Sequence, residues 1–238
     1  MTQNKQDELF SNIIVEDYEL LKLICPLSVE MSRLVGITVN QYNDAKQIVE
    51  LGTGTGITTL ALLTANQNAQ IMTIDNQADM HKKAQSNLSA WQQRLNFICQ
   101  DALSALQAMD SNSVDIIASA YTLHNFLHDY REQVINEIFR VLKPNGQFIN
   151  GDRYALNNID EHTRLTQQEV SHYFKILIQL NKLDLLEQWI VHLFSDESEH
   201  HIMREAVALK QLTQAGFKHI TLSHRLEVNA LVTATKPS

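Results

Sequence analysis

Between Lys46 and Tyr154, strand-like segments alternate with helix-like segments, and this alternation constrains the fold more than any other feature of the chain. The intervening segments, GITTLALLTAN and YREQVINEIFRVL among them, have the apolar spacing of helices. Nearly continuous apolar strands separated by helices are typical of a parallel sheet covered on both faces. We therefore predict an α/β fold. The predicted strands are QIVEL, AQIMTID, LNFICQD, VDIIASA and QFINGDRY.

The segments on either side of this region have other patterns. Residues 7–39 are helical in pattern, and Pro26 can open a second helix. Residues 162–194 contain no glycine or proline and repeat apolar residues at helical spacing, which predicts two inserted helices. The closing unit predicts a helix, REAVALKQLTQAGF, and two strands, KHITLSHR and LEVNALVTATK. The predicted domains are an N-terminal helical cap (1–45), a core (46–158 and 204–238) and a helical insert or lid (159–203).

The composition narrows the classes of partner. The formal net charge is -8 and no block of lysines and arginines occurs, which argues against nucleic acid or an anionic membrane as a partner. The two cysteines lie far apart, so a disulfide scaffold is not expected. The first ten residues do not resemble a signal peptide, and no stretch has the length of an apolar membrane span. We expect a cytoplasmic protein.

The segment VELGTGTG places Gly52, Gly54 and Gly56 at every second position between a strand and a helix. Glycines at such a turn let a ligand approach the main chain, and the following helix presents its amides and positive dipole end. The spacing is GxGxG, whereas the dinucleotide fingerprint is GxGxxG. Glu50 precedes the glycines and would repel a pyrophosphate, whereas it would attract an ammonium group.

Two further acids follow the next two strands. Asp75 follows the glycines at the distance where a carboxylate accepts hydrogen bonds from ribose hydroxyls. Asp101 ends the third strand, where it can accept from an adenine amino group while Ala102 donates a backbone amide. Each acid has a structural alternative, namely a strand-end charge or a helix N-cap. Together they favour an amino acid joined to a nucleoside without phosphates, the make-up of S-adenosylmethionine.

The chain resembles the class I S-adenosylmethionine-dependent methyltransferases. The matching segments are VELGTGTG, IDNQADM, CQDAL, VDIIASAYTLHNF and VLKPNGQFI, in that order. The resemblance implies a Rossmann-like seven-stranded, mostly parallel sheet of order 3-2-1-4-5-7-6 with strand 7 antiparallel, and S-adenosylhomocysteine as the product. It adds Asn76 beside the ribose or adenine and Ala120 beside the methionine portion. The expected cofactor residues are Glu50, Gly52, Thr53, Gly54, Gly56, Asp75, Asn76, Asp101, Ala102 and Ala120.

The segment after the fourth strand, SAYTLHNFLHDY, is where an acceptor is expected. His124 can act as a general base for a hydroxyl or amine, or it can be a loop histidine bonded to the backbone. His124 and His128 share helical spacing, and Asp152 is a third candidate ligand. Two histidines at this spacing are weak evidence for a metal, so we predict no metal site.

The residues expected to bind the acceptor lie in the cap, the fourth and fifth strand ends and the insert. ASAYTL does not match the NPPY-type segment of DNA and glutamine methyltransferases, and LHNF resembles small-molecule enzymes. The apolar insert favours an acceptor with hydrophobic bulk. Tyr173 and Trp189 also have a packing alternative. The predicted acceptor-binding residues are Tyr18, Tyr121, Asn125, Arg153 and Trp189.

The order of segments along the whole chain is similar to the carboxy-S-adenosylmethionine synthase branch. Members of that branch hold a carboxyl group with an arginine of the insert, but LDLLEQWIVHLFSDESEHHIM has no arginine before Arg204. The similarity implies shared architecture and a homodimer through the insert. Three functions stay open: methyl transfer to O, N or C of a small, partly apolar molecule, carboxy-S-adenosylmethionine synthesis, and a non-catalytic cofactor-binding subunit.

Overall fold

A computed structural model describes residues 23–42 and 44–238 of the chain. Seven strands form one sheet. They are β1 (Gln47–Leu51), β2 (Gln70–Asp75), β3 (Leu95–Cys99), β4 (Val114–Ala120), β5 (Leu142–Arg153), β6 (Lys218–Leu226) and β7 (Asn229–Thr235). The α-helices of the described residues are α1 (Pro26–Val39), α2 (Ile57–Ala65), α3 (Ala78–Asn87), α4 (Ala102–Gln107), α5 (His128–Val141), α6 (Ile159–Gln179), α7 (Leu183–Asp196) and α8 (Glu205–Ala215).

The strand order is β3-β2-β1-β4-β5-β7-β6. Strands β1 to β5 pair in parallel, and β7 pairs antiparallel with both β5 and β6. The predicted order and the antiparallel seventh strand are therefore confirmed. Because the carboxyl ends of the parallel strands share one edge, the loops after β1, β2, β3 and β4 meet there.

Apolar side chains cover both faces of the sheet. On one face, Met31 and Val35 of α1 pack with Leu62 of α2 against the strands. On the other, Ile138 of α5 and Leu212 of α8 belong to a second buried cluster. Two covered faces explain why the central strands read as continuous apolar segments rather than as alternating ones.

Helices α6 and α7 lie between β5 and α8, where the two inserted helices were predicted. They pack on each other through Tyr173, Leu177 and Trp189, and Met80 of α3 belongs to the same cluster. The insert is thereby held over the carboxyl-end edge of the sheet. None of the helices in the described part of the chain combines the length and the apolar character that crossing a bilayer requires.

Several predicted element boundaries differ from the structure. Helix α3 ends at Asn87, and a 3₁₀ turn covers Ser89–Arg94. The Arg94 guanidinium donates to backbone carbonyls of the α2–β2 connection and so holds the chain in this turn. Strand β5 begins at Leu142 rather than at Gln147, and its register against β4 shifts between Val114 and Ile116.

Candidate active site

A cavity of ≈ 220 Å³ opens at the carboxyl ends of the parallel strands. The loops after β1 to β4 form its floor, and residues of α1 and α7 close its sides. The structure thus brings most of the predicted site residues together, although Tyr18 lies outside the described residues. The predicted residues that line the cavity are Gly52, Thr53, Gly54, Asp75, Asn76, Asp101, Ala102, Ala120, Tyr121, His124, Asn125, Arg153 and Trp189.

The first two glycines have different tasks in the turn after β1. Gly52 has φ +80°, and a Cβ there would lie 1.9 Å from Oγ1 of Thr122. Gly54 has φ +50°, and a Cβ there would meet no atom within 4 Å. Its amide donates to Oδ2 of Asp75 at 2.9 Å. Gly52 therefore permits close packing of the turn, whereas Gly54 leaves open space beside the cavity.

The acids after β2 and β3 also organise their own loops. Asp75 accepts a hydrogen bond from the Gln77 amide at 2.8 Å, in addition to that from Gly54. Asp101 caps α4 by accepting from the Ser104 amide at 3.0 Å, and the Tyr130 hydroxyl donates to it at 3.0 Å. Burial raises the pKa of Asp101, but these hydrogen bonds outweigh burial and hold it below its usual value. The capping alternative is thus present at Asp101, and the carboxylate also lines the cavity.

Glu50 and Gly56 do not line the cavity. The Glu50 side chain is 0% exposed and lies between α2 and β2, where the hydroxyls of Thr59 and Thr73 donate to its Oε2 at 2.7 and 2.6 Å. Gly56 precedes α2 and faces Leu88. Its strand position points the side chain below the floor of the cavity, and its predicted part in cofactor binding stays a prediction. Glu50 instead braces the turn from behind.

Replacing Glu50 with glutamine should flatten the pH dependence of stability. Burial, only partly opposed by the two hydroxyls, raises the pKa of Glu50 to about 8 from 4.5. Between these two pH values the unfolded chain loses this proton while the folded chain keeps it, so stability falls as pH rises. The slope for one proton is at most about 1.4 kcal/mol per pH unit.

Urea denaturation at several values between pH 5 and 8 measures this effect. As pH rises, the free energy of unfolding of Glu50→Gln should increase relative to that of the natural protein. The exposed Glu132, replaced in the same way, should leave the slope unchanged. Parallel stability curves for the natural protein and Glu50→Gln would exclude a raised pKa at Glu50.

His124 and Asp152 form a buried pair at the opposite end of the cavity. His124 lies in the 3₁₀ turn Leu123–Asn125, and its Nδ1 is 2.6 Å from Oδ1 of Asp152. The amide of Leu123 donates to Oδ2 of Asp152 at 2.9 Å. Burial would raise the pKa of Asp152, but the charge and hydrogen bond of His124 and the backbone amides lower it. Asp152 therefore orients the imidazole and leaves Nε2 on the side of Asp196.

His128 does not join this pair. Its side chain is 44% exposed, and its Nδ1 lies 3.4 Å from the exposed Asp129. The helical spacing considered in the sequence is not formed, because His124 lies in a separate turn before α5. Asp152, considered there as a third ligand, is instead the hydrogen-bond partner of Nδ1.

The insert adds two polar side chains that the sequence did not predict in the site. His192 and Asp196 lie one turn apart on α7 and both line the cavity. In the sequence, the only indication that these two residues belong to the site is their helical spacing, since they follow Trp189 by one turn and by two turns. Burial lowers the pKa of His192. This end of the cavity is consequently more polar than the apolar pattern of the insert suggests.

The predicted acceptor residues Arg153 and Trp189 fasten the insert to the core. The Arg153 guanidinium pairs with Glu169 at 2.7 Å and with Glu197 at 3.2 Å. Burial would lower the pKa of Arg153, but Glu169 above all, together with Tyr173 and Asp196, keeps it well above its usual value. Trp189 packs against Tyr173 at 5.9 Å between ring centroids, so its packing alternative is present alongside its place in the cavity.

Tyr121 and Asn125 complete the wall around His124. Tyr121 has φ +50°, its hydroxyl donates to Oδ1 of Asn229 at 2.5 Å, and its ring meets the His124 ring edge-on. Asn125 donates to the Tyr121 carbonyl at 3.3 Å, while its Oδ1 is buried and has no hydrogen-bond partner among the described residues. A non-glycine residue in the left-handed region beside a cavity is typical of a functional site.

The cavity suits a phosphate-free cationic conjugate of adenosine. Gly54 leaves open space at one end, where Asp75 and Asp101 offer carboxylates for hydroxyl and amino groups. Arg153 is the only lysine or arginine among the described residues that line the cavity, and two carboxylates already neutralise it. A diphosphate would find no available cation here, whereas a sulfonium and an ammonium group match the acidic surroundings.

Comparison with known proteins agrees with this chemistry. Residues 48–146 match the family described as a methyltransferase domain. The chain is 27% identical over 209 residues to a carboxy-S-adenosyl-L-methionine synthase of Ruthia magnifica subsp. Calyptogena magnifica, covering 84% of this chain and 82% of the relative. It is 30% identical over 129 residues to a demethylmenaquinone methyltransferase of Leptospira interrogans, covering 53% of this chain and 51% of the relative.

Solved structures share the fold. A putative O-methyltransferase from Nostoc punctiforme superposes with a TM-score of 0.66 at 19% identity over 91% of this chain. The chain spans 59% of the length of that protein. The CurJ carbon methyltransferase superposes with a TM-score of 0.64 at 14% identity, and the chain spans 59% of its length. The methyltransferase domain matched over residues 48–146, the sheet order and the acid-lined glycine turn together support a class I S-adenosylmethionine-dependent methyltransferase.

Proposed function

We propose that this protein transfers the methyl group of S-adenosylmethionine to an O, N or C atom of a small molecule and releases S-adenosylhomocysteine. The supporting observation is that one cavity joins the acid-lined glycine turn to the buried His124–Asp152 pair. The first end has the groups that would hold the cofactor. The second end would place a polar group of the protein beside the acceptor.

Methyl transfer needs alignment more than activation. The bound cofactor supplies a sulfonium carbon that is already electrophilic. Asp75, Asn76, Asp101 and Ala102 would hold the nucleoside, and Ala120 leaves the end of β4 unobstructed by a large side chain. His124 would meet the proton-bearing atom of the acceptor, with Asp152 keeping its ring in position. Burial of this end excludes water, which strengthens each of these interactions.

Carboxy-S-adenosylmethionine synthesis is the second candidate because relatives with that name match most of the chain. That product carries an added carboxylate, which needs a cation in the cavity. Arg153 is already paired with Glu169 and Glu197, while Asp152 and Asp196 bring further negative charge. The guanidinium is thus occupied by two glutamates, and two aspartates lie at the same end of the cavity, so the local charge favours methyl transfer over this alternative. A non-catalytic binding subunit, the third candidate, would not need a buried His–Asp pair facing the cavity.

Turnover separates the three functions. Purified protein is incubated with methyl-labelled S-adenosylmethionine and a small-molecule extract, and the products are separated by mass spectrometry. We expect S-adenosylhomocysteine together with a labelled small molecule. Label that stays in a carboxylated cofactor would identify the synthase reaction. Absence of any turnover in the presence of bound cofactor would favour the binding subunit.

Replacing Asp75 with alanine should weaken S-adenosylhomocysteine binding by about 10- to 100-fold, because a hydrogen bond to a charged group contributes about 1.5–3 kcal/mol. Calorimetry measures the affinity, and a thermal scan without ligand reports the loss of the bond to Gly54. Asp79→Ala, which removes an exposed acid on α3, is the matched control. Its affinity for S-adenosylhomocysteine should equal that of the natural protein. Unchanged affinity in Asp75→Ala would remove this residue from the cofactor site.

A homodimer through the insert and a cytoplasmic location also belong to this proposal. The outward faces of α6 and α7 expose Phe174, Ile178, Val191 and Phe194, the last of them 75% exposed. Light scattering should give the mass of two chains, and Phe194→Glu should give the mass of one.

The two cysteines, Cys25 and Cys99, are free, as a reducing compartment would keep them. Cell fractionation tests that location.

A further inference from the structure

Three side chains from two distant segments converge at the acceptor end of the cavity. His124 comes from the turn after β4, whereas His192 and Asp196 come from α7. Each offers one nitrogen or oxygen atom, and these three atoms lie within 4.8 Å of one another. All three residues are less than one tenth exposed, and all three line the cavity.

Two of the three separations between these atoms are close to those of ligands around a common centre, and the third is at most 4.8 Å. Oδ2 of Asp196 lies 3.8 Å from Nε2 of His124 and 3.5 Å from Nε2 of His192. These separations exceed the roughly 2.7–3.2 Å of an ordinary N–H···O hydrogen bond. Ligands at about 2.0–2.2 Å from a tetrahedral metal ion lie roughly 3.3–3.6 Å apart, so a small inward shift would place all three around one ion.

The residues behind this cluster have the arrangement that metal-binding histidines use. Asp152 lies 2.6 Å from Nδ1 of His124 on the side of the ring away from Asp196. A carboxylate at the second ring nitrogen fixes the tautomer and raises the basicity of the ligating nitrogen. Asp152 itself is held by the amides of Leu123 and Arg153. His124 is therefore oriented by the core, independently of the insert.

The charges at this end also favour a cation. Asp152 and Asp196 flank the cluster, and Glu169 and Glu197 occupy the guanidinium of Arg153. The guanidinium of Arg131, the other buried arginine close to these acids, donates to the Phe126 and His201 carbonyls, so among the described residues neither arginine forms an ion pair with Asp152 or Asp196. Buried carboxylates are stable when a positive charge is close by. A divalent ion between the two histidines and Asp196 would match the two aspartates in charge.

We propose that His124, His192 and Asp196 bind a divalent first-row transition metal ion, with its remaining coordination positions open to the cavity. Two imidazoles and one carboxylate are a ligand set of catalytic zinc and of non-haem iron. The acceptor would then be a molecule that binds the ion through an oxygen atom, whose proton the ion makes easier to remove. This description of the acceptor rests on the proposed methyl transfer, whereas the metal site does not. With the ion bound, Nε2 of His124 is a ligand rather than the proton acceptor, and the acceptor oxygen gives up its proton to solvent water when it binds the ion, before the methyl group is transferred.

Cobalt binding tests the site without an activity measurement. The full-length protein is treated with a chelator and titrated with Co²⁺, and visible absorption reports the ligand geometry. We expect one equivalent of Co²⁺, the intense bands of a four- or five-coordinate ion, and displacement by Zn²⁺. Uptake below one equivalent would overturn the proposal.

Variants show whether the ion lies in this cluster. His192→Ala and Asp196→Ala should each weaken Co²⁺ binding by more than 100-fold, and Asp152→Asn by about 10- to 100-fold. His128→Ala, which removes an exposed histidine outside the cavity, should bind Co²⁺ as the natural protein does. Binding that persists unchanged in both His192→Ala and Asp196→Ala would place the ion elsewhere and overturn the proposal. Circular dichroism confirms that each variant is folded.

The outcome is distinguishable from failure of the proposed function. Stoichiometric Co²⁺ in this cluster without methyl transfer to any acceptor would contradict the proposed function and support the metal site. Full methyl transfer by chelator-treated protein that takes up no Co²⁺ would support the proposed function and contradict the metal site.

Discussion

Replacing His124 with alanine should lower the rate of methyl transfer by about 100- to 10,000-fold, the range expected when a group that handles the acceptor proton is lost. The side chain lies at the acceptor end of the cavity, away from the acids that would hold the cofactor. The affinity for S-adenosylhomocysteine should therefore change by less than about threefold. Single-turnover assays with the labelled methyl donor measure the rate, and calorimetry measures the affinity.

His128→Ala is the matched control for this experiment. His128 lies four residues further along the chain, but its side chain is 44% exposed and it does not line the cavity. Its removal should leave the rate within about twofold of the natural protein. Full activity in His124→Ala would exclude its proposed role in handling the acceptor proton, whereas its role as a metal ligand is tested by Co²⁺ binding; the similarity to methyltransferases would be unaffected.

Gly52→Ala should mainly reduce the stability of the protein, whereas Gly54→Ala should mainly reduce its affinity for S-adenosylhomocysteine. At Gly52, the new Cβ would lie 1.9 Å from Oγ1 of Thr122, whose hydroxyl donates to the Leu51 and Ala120 carbonyls. Relief requires a shift of that side chain or of the turn, in addition to the strain of an L residue at φ +80°. We expect a loss of about 2–5 kcal/mol in the free energy of unfolding.

At Gly54, alanine meets no atom of residues 23–42 or 44–238 within 4 Å, so only the strain of φ +50°, about 1–2 kcal/mol, should reduce stability. Its methyl group would instead occupy space beside the cavity and lower S-adenosylhomocysteine affinity by at least about 10-fold. Urea denaturation and calorimetry on both variants test the pair. Equal destabilisation, or normal ligand binding by Gly54→Ala, would contradict the different tasks assigned to the two glycines.

Local patterns in the sequence were sufficient to predict the architecture and the cofactor end of the site. Apolar strands alternating with helices predict a covered parallel sheet because burial on both faces removes the polar positions from the strands. The resemblance to the methyltransferase family supplied the strand order, which the structure confirms. Asp75, Asp101 and Ala120 follow different strands, yet the parallel arrangement brings their ends to one edge, so their proximity follows from the fold class.

The sequence by itself determined the sheet and the glycine turn with its two cavity-lining acids. Each depends on residues close together in the chain or on the shared edge of parallel strands. Only the tertiary structure decided that Glu50 lies below the floor, that Arg153 pairs with Glu169 and Glu197, and that His192 and Asp196 face His124. The physical reason is that the Glu50 contacts depend on how α2 and β2 pack beside β1, whereas the contacts of Arg153, His192 and Asp196 depend on the angle at which the insert packs over the sheet. That angle is set by long-range apolar contacts, which the spacing of residues within one helix does not encode.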